Sequence, residues 1–354
     1  MKHQNRQTKT PLATWRVLLA VTLLAATGVR AEEFVTNRFT LSARFGLNIS
    51  ARFTGPTSLS FSGNPRTTPR SDLYNYDDGY VLTDISGNSG GQTWYWGYDD
   101  SASQISGSTI LLSRSTASGD FSSPSFDSDP QLGAELTYNR MLGTTRNLRY
   151  GLEGAANYLN ISLHNNSTAF GTLSRVTDAY PFTPGTTPPT ATPSNPYQGS
   201  FEGPGFVIGD TPVSSTVTIV PGGFTLAGRR EFDADLWGFR LGPYLDLPFE
   251  DSFNLWISGG LAVGWLDGEA SWSETVTAAG IGTASSSGRG SHDDFLWGGY
   301  AGGNLSWDWN DRWSIVGGVQ YQHLGVYRHT FGMRQVEVDL RNSFFATIGL
   351  SARF

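Results

Sequence analysis

The chain has 354 residues, 38% of them hydrophobic, and 31 acids against 24 bases give it a net charge of −7. The absence of cysteine excludes disulfide scaffolds, thiol nucleophiles and thiolate metal sites, and the acidic balance argues against nucleic acid as a partner. The 43 glycines and 13% aromatic residues instead suit strands, close-packed walls and interfacial rings.

The N-terminus reads as an address. Lys2, Arg6, Lys9 and Arg16 are followed by an apolar run from Val17 to Ala26, and Val29 and Ala31 occupy the small-residue positions of a cleavage site. Residues 1–31 are therefore expected to be a signal peptide and 32–354 the exported domain. The run is well short of the roughly 20 residues that a membrane-spanning helix needs. Five of the 24 bases and none of the acids lie in 1–31, so the remainder stands at −12 and all its bases are arginines. Arginine makes fixed, forked pairs with carboxylates, which suits a buried ion-pair network; a coding bias towards arginine accounts for it equally well.

Period-two alternation, the mark of a strand with two unlike faces, then recurs along the chain. The first stretch sets Phe39, Leu41, Ala43, Phe45, Leu47, Ile49, Ala51 and Phe53 against a face carrying Arg44 and Arg52. Residues 129–142 and 147–163 flank the short turn 143–146. Residues 224–247 and 252–275 flank 248–251, and 293–308 and 313–330 flank 309–312. The last stretch, 336–354, alternates throughout with Asn342 as its single exception. The two end stretches run about fifteen residues, where soluble strands average five or six. Modest overall hydropathy fits a membrane barrel, because only alternate residues face lipid. The expected fold is all-β, an antiparallel up-and-down transmembrane β-barrel of eight strands. The expected external loops are long at 55–128 and 164–223 and shorter at 276–292 and 331–335.

Several segments qualify this scheme. Residues 104–116 read as a further strand, and a partner near 78–97 would raise the count to ten. The proline-rich 179–219, with its apolar Gly205–Asp210, reads as an external cap, a plug in the lumen or a disordered loop. The alternation slips by one at Tyr158-Leu159, Leu236-Trp237 and Trp265-Leu266, each about eleven residues from a tight turn. A tilted strand crosses the hydrocarbon in about 9–11 residues, so bulges or a change of packing are expected at the outer interface, with acidic strands continuing into water above it. Ser50-Ala51-Arg52-Phe53 recurs as Ser351-Ala352-Arg353-Phe354, as though first and last strands met at a seam under similar demands.

The leader, the up-and-down strands and the ending Phe344-Phe345-Ala346-Thr347-Ile348-Gly349-Leu350-Ser351-Ala352-Arg353-Phe354 resemble the small outer-membrane barrels of Gram-negative bacteria, the OmpA/OmpX-like architecture. The resemblance covers the barrel strands, under half the exported chain, and it specifies fold and location rather than activity. It implies a bilayer and lipopolysaccharide as surroundings. It also implies that Phe344, Ile348, Leu350 and Phe354 are a signal read by the barrel-assembly machinery. The long aromatic segment from Tyr74 to Asp100 departs from these small barrels.

The expected inward face is charged. Glu135 and Glu153 face Arg149, with Arg44, Arg52, Arg240 and Arg353 on other strands. An eight-stranded barrel is just filled by its side chains, and unpaired charge inside would be costly, so a closed ion-pair network and a plugged lumen are expected. With ten strands the same arginines would line a narrow anion-preferring channel. Trp307, Trp309 and Trp313 at one tight turn, and Trp237 and Trp265 near the opposite boundary, read as interfacial girdles. Trp94, Tyr95 and Trp96 read as loop packing, with ligand stacking as the alternative. His292-Asp293-Asp294, Asp77-Asp78, Asp99-Asp100 and Asp233/Asp235 are the residues a rim hydrolase would use, or weak divalent-ion ligands, or ordinary solvated acids. His323 has no serine partner at a motif spacing. With no HExxH, GxSxG, phosphate-binding or EF-hand pattern, the expectation is no catalytic residue, metal or cofactor. The protein reads as a non-catalytic structural or surface-binding barrel with an unidentified extracellular ligand; the alternatives are a passive small-solute pore and an outer-membrane hydrolase.

Overall fold

The computed structural model describes residues 37–55, 58–61, 73–145, 148–250, 252–332 and 334–354; the expected leader and parts of two tight turns lie outside them. In chain order the strands begin with β1 (Asn37–Leu47) and β2 (Ser50–Thr54). Within the first long connection come β3 (Ser58–Phe61), β4 (Leu73–Tyr76), β5 (Gly79–Leu82), β6 (Gln92–Thr93), β7 (Trp96–Tyr98), β8 (Ile105–Ser106), β9 (Thr109–Ser118) and β10 (Phe126–Asp127). A hairpin of β11 (Gln131–Thr145) and β12 (Leu148–Asn165) follows. The second long connection carries β13 (Ala169–Pro181), β14 (Tyr197–Gln198) and β15 (Ile208–Gly209). Three very long strands come next, β16 (Ser214–Glu250), β17 (Phe253–Ala278) and β18 (Gly282–Asp308). The chain ends with β19 (Trp313–His323), β20 (Val326–Phe331), β21 (Arg334–Asp339) and β22 (Ser343–Arg353).

Eight of these close into a ring of antiparallel pairs: β1 with β11, β11 with β12, β12 with β16, β16 with β17, β17 with β18, β18 with β19, β19 with β22, and β22 back to β1. Strand β9 overlaps the stretch 104–116 read as a further strand, but it pairs with β13, β8 and β3, off the ring. Among the described residues the ring therefore counts eight. Around its lower half the apolar residues point outward; Leu41, Leu241, Leu261, Val319, Ile348 and Leu350 are all more than half exposed. Polar residues of the same strands, among them Thr40, Ser42, Arg44, Glu135, Asn139, Glu153 and Arg240, are buried inside.

The first and last stretches are not single strands. Asn48 takes a left-handed φ of 59°, which asparagine tolerates better than most residues, and its Nδ2 donates to the Asn342 carbonyl at 2.8 Å. Gly325, with φ 93°, breaks β19 from β20, and the Asp339 carboxylate caps the turn before β22 by accepting from the Arg341 amide at 2.9 Å. At these three adjacent breaks β2, β20 and β21 leave the ring and, with β10, form a separate four-stranded sheet. The inner faces of that sheet and of the upper β12, β16, β17 and β18 share one apolar core. Ile49, Ala51, Phe53, Tyr327, Val336 and Val338 come from one side, and Leu159, Ile161, Leu163, Phe232, Leu236 and Leu266 from the other. Two sheets sharing a core in this way form a sandwich, which stands directly over one end of the ring. The exception at Asn342 thus marks a real chain break, and the Ser50–Phe53 echo has another cause than a seam: β2 pairs with β21, while Ser351–Arg353 pair within the ring.

The phase slips are not bulges. The registers β12–β16, β16–β17 and β17–β18 run unbroken through them. Tyr158, Trp237, Trp265 and Phe295 are register partners in one row, and all four point outward. In the next row Leu159, Leu236 and Leu266 point inward and are fully or nearly buried. Above it the outward row is Asn160, Asp235, Asp267 and Asp293. The backbone alternation continues while its chemistry inverts, from apolar-out and polar-in to polar-out and apolar-in. Of the two explanations expected, a change of packing is the one realised.

Candidate functional site

The ring interior is filled in layers. Nearest the tight turns, Arg38 lies 3.7 Å over the Trp256 ring and 3.6 Å from Asp246, which Arg149 approaches at 3.7 Å from the other side. Arg353 clamps both oxygens of Asp308 at 2.6 and 2.7 Å, and Asp308 also accepts from Ser314 and Asn254 at 2.6 and 2.9 Å. Arg38, Arg149, Asp246 and Arg353 border a depression of about 610 Å³ at the turn end of the ring.

At mid-height the charges form a closed, neutral group of four from β1, β11, β12 and β16. Glu135 accepts from Arg44 on one oxygen and from Arg240 at 2.5 Å on the other. Arg240 reaches Glu153 at 3.5 Å; Glu153 also accepts from Asn139 at 3.0 Å and from the Tyr300 hydroxyl at 3.2 Å. Arg44 donates to Gln322 at 2.7 Å and stacks 3.7 Å over Phe345, and Arg240 lies 4.6 Å over Tyr300. Burying charge is tolerable when it is paired, and stacking on rings suits the flat guanidinium; the Nε atoms of Arg44 and Arg240 and the Asn139 Oδ1 stay buried without a hydrogen-bond partner. The space left beside this layer is about 20 Å³, room for about one water molecule. Above it begins the apolar sandwich core. A second buried group, Arg230–Glu274–Arg334, ties β16, β17 and β21 together, with Arg230 Nε donating to Glu274 at 2.6 Å.

The expected lumen residues thus separate. Arg44, Glu135, Glu153 and Arg240 meet as one group. Arg149 and Arg353 lie nearer the turns with Asp246 and Asp308, because Arg149 follows Glu153 two inward positions further down β12. Arg52 is outside the ring altogether: the break at Asn48 carries it into β2, where it is half exposed, 3.3 Å from Asp120. Arg38, Asn139, Asp246, Tyr300, Asp308, Gln320 and Gln322 were missed, although the inward parity of each strand was signal enough to find them. Trp237 and Trp265 stand outward in the upper aromatic row, and Trp307, Trp309 and Trp313 are exposed around the turn end. Phe344, Ile348, Leu350 and Phe354 are all exposed on the outer face of β22 and the residue after it. Phe354 stacks on Phe39 with centroids 5.5 Å apart.

Beyond the sandwich, the two long connections fold against each other. Trp96 packs on Tyr98 and Tyr197, with centroids 5.3 and 4.8 Å away, and its indole N–H donates to the Phe206 carbonyl at 2.7 Å. Around it Tyr76, Val81, Ile110, Leu112, Tyr180, Phe182, Ala191 and Ile208 make a second core. The apolar stretch near Gly205 therefore covers this headpiece core and neither enters the ring nor hangs free. Trp94 and Tyr95 are packed as well, Tyr95 against Tyr80 and Phe201. Asp178 is buried among the Tyr76 and Ser215 hydroxyls at 2.8 and 2.6 Å, with Arg114 at 3.5 Å. Burial pushes the Asp78 carboxyl up to about 6; the Ser113 amide, donating to it at 2.7 Å, opposes the shift and the neighbouring Asp77 adds to it. Burial likewise pushes the Tyr76 hydroxyl well above its ordinary range, helped by Tyr180.

The residues that a rim hydrolase would use are dispersed. His292 and Asp293 are consecutive on β18, so they point to opposite faces; the His292 ring stacks on His329 at 3.8 Å. Asp233 and Asp235 lie exposed on the outer face of β16, and Asp77, Asp78, Asp99 and Asp100 belong to the headpiece. His323 Nδ1 is 2.6 Å from the Arg341 carbonyl. Among the described residues no three histidine or acidic side chains gather as a metal site would require, and no helix is long and apolar enough to cross a membrane.

No family model and no curated protein matches the chain. Among solved structures it is similar to Ail, the attachment invasion locus protein of Yersinia pestis, in complex with the heparin analogue sucrose octasulfate. That match has 8% identity and a TM-score of 0.30, and it covers 91% of this chain and 100% of that one. It is similar also to the outer membrane protease OmpT from Escherichia coli (9% identity, TM-score 0.31, 93% and 99% covered) and to the P. putida toluene transporter TodX (9% identity, TM-score 0.19, 92% and 91% covered). At such TM-scores the likeness carries no argument, and the fold rests on the strand pairings themselves.

Proposed function

We propose that this chain is an integral outer-membrane β-barrel protein of a Gram-negative envelope, non-catalytic, with a closed lumen and an external headpiece that gives it a structural or surface-binding role. The observation that carries the reading is the inversion of sidedness at the row Tyr158–Trp237–Trp265–Phe295. A soluble barrel has water outside along its whole length and gains nothing by turning leucines outward for half of it. A lipid band requires that arrangement, with aromatic rings at both edges. From Trp237 down to Leu247 the strand rises about 33 Å, or about 25 Å across a bilayer at the usual tilt of about 40°. In this reading the tight turns face the periplasm and residues 1–31 are the export signal. The barrel-assembly machinery reads the outward residues of β22, and the outer wall contacts lipid and lipopolysaccharide. The filled lumen and the separation of His292 from Asp293 favour this reading over the pore and the hydrolase.

The lack of native cysteine makes a clean test possible. Asp267→Cys should react with a membrane-impermeant maleimide in intact cells, Leu261→Cys only after the membrane is dissolved, and Thr144→Cys only once the outer membrane is breached. Equal labelling of positions 261 and 267 in intact cells, or recovery of the protein as soluble periplasm, would overturn the proposal.

A further inference from the structure

The depression at the turn end of the ring holds about 610 Å³, the space of about twenty waters, and the closed lumen above leaves it without a role. Its lining sets Arg38, Arg149, Arg312 and Arg353 against Asp246 and Asp311. Asp308, outside the lining, neutralises Arg353 through both its oxygens. Among these residues an excess of one positive charge faces the opening, in a chain whose net charge is −7. Met141, Tyr244 and Phe354 add apolar wall beside the arginines.

The arginines here have donors left over. Arg38 is only 6% exposed, yet its guanidinium makes no hydrogen bond among the described residues. Asp246 stands 3.6 Å away, the Arg38 Nε is buried without a partner, and Trp256 offers only a ring face. Arg149 approaches the same Asp246 oxygen at 3.7 Å. Both separations are attractive but too long for a hydrogen bond. One carboxylate thus lies between two guanidiniums and bonds to neither, and its second oxygen is itself buried without a partner. At mid-height, by contrast, Glu135 accepts hydrogen bonds from both Arg44 and Arg240. The same kind of charge group is closed where the ring is filled and left open where it meets the depression. Unbonded donors on a buried cation are costly, and an acceptor seated between Arg38 and Arg149 would offset that cost.

We propose that the turn end of the ring binds a singly charged organic oxyanion, held by the free donors of Arg38 and Arg149. Guanidinium forks match the paired oxygens of a carboxylate or a phosphate diester. The excess of one positive charge fits a monoanion, whereas a dianion would leave the site negative and a cation would meet repulsion. The depression is much larger than the anionic group alone, so the anion is carried on a larger molecule, whose apolar part lies against Met141, Tyr244 and Phe354. A carboxylate at the end of a peptide and a phosphate diester present the same chemistry here, and the two are separated by the test. The inference rests on the membrane reading only for the compartment that supplies the ligand, the periplasm; binding itself is read in micelles, so its failure leaves that reading untouched.

The test uses the full chain, labelled with ¹⁵N-arginine in detergent micelles, and follows the arginine Nε–H resonances at matched ionic strength. The probes are N-acetyl-alanine, dimethyl phosphate and the neutral N-acetyl-alanine amide. One or both anions should shift the Arg38 and Arg149 signals saturably, with the tighter identifying the source, while those of Arg44 and Arg240 stay in place. Arg149→Gln, at a partly exposed position, should weaken binding about tenfold or more. Asp246→Asn removes the anion that now sits between the two arginines and should tighten binding about tenfold. Should that variant misfold, the Arg149→Gln comparison decides alone. Equal shifts with the neutral amide, no saturation by about 100 mM, unchanged affinity in Arg149→Gln, or weaker binding in a folded Asp246→Asn protein would overturn the proposal.

Discussion

Replacing Glu135 by glutamine tests the lumen most directly. Among the described residues Glu135 is the one carboxylate that touches both Arg44 and Arg240. Without it Arg44 keeps only neutral glutamine partners and the Phe345 ring, and Arg240 keeps Glu153 at 3.5 Å. Two cations would then share a buried layer with one anion. Removing one partner from a buried pair costs about 3–5 kcal/mol, because the charge left behind cannot be resolvated. The glutamine retains an acceptor, so the lower end of that range is expected. The assay is urea unfolding in lipid vesicles followed by tryptophan fluorescence. Arg44→Met alone should cost less than Glu135→Gln, since Glu135 keeps Arg240, and in the double variant the two losses should fall short of additive by about 1.5 kcal/mol or more. A Glu135→Gln protein within about 1 kcal/mol of the parent would refute the claim that this layer is a closed charge network.

Four further outcomes follow from the same structure. In planar bilayers the protein should show no discrete conductance steps, and Glu135→Gln should not produce them, because the sandwich core above the network stays in place. Leu261→Arg, at the middle of the outward apolar band, should destabilise the protein in vesicles by about 2–4 kcal/mol, whereas Asp267→Arg, above the aromatic row, should leave stability within about 0.5 kcal/mol. Asp78 has its folded-state pKa raised to about 6 from 3.8. The stability it contributes is thus present in full below pH 3.8 and is lost as the pH rises through about 6. Asp78→Asn, which can still accept from the Ser113 amide, should raise headpiece stability at pH 7 by about 1–3 kcal/mol and flatten its decline between pH 4 and 6, read as near-ultraviolet circular dichroism melts. Asn48→Val should cost about 1–2 kcal/mol more than Asn48→Gly, because a β-branched residue is strained at a left-handed φ.

Alternation is a local property: it follows from strand geometry alone, and it is legible wherever the two faces meet unlike surroundings. For that reason the sequence by itself determined where the ring strands and tight turns lie, the outward tryptophans and the height at which the pattern slips, while the choice between eight and ten strands waited on the pairing of β9 off the ring. It did not determine what the slips were. A bulge and an inversion of surroundings leave the same mark in one dimension, and the unbroken registers of β12, β16, β17 and β18 separate them. The long end stretches also concealed their breaks, because Ile49, Ala51 and Phe53 keep the parity of Phe39 and Leu41 while facing a protein core in place of the outside. Only the tertiary structure decided which charges meet. Arg44, Glu135, Glu153 and Arg240 come from four strands, and ring closure brings them to one height while leaving Arg149 lower and Arg52 outside. The headpiece was beyond local reading for the same reason. Trp96 and Phe206 lie 110 positions apart, and the core they share exists only because two irregular connections, neither able to bury its own aromatics, cover each other.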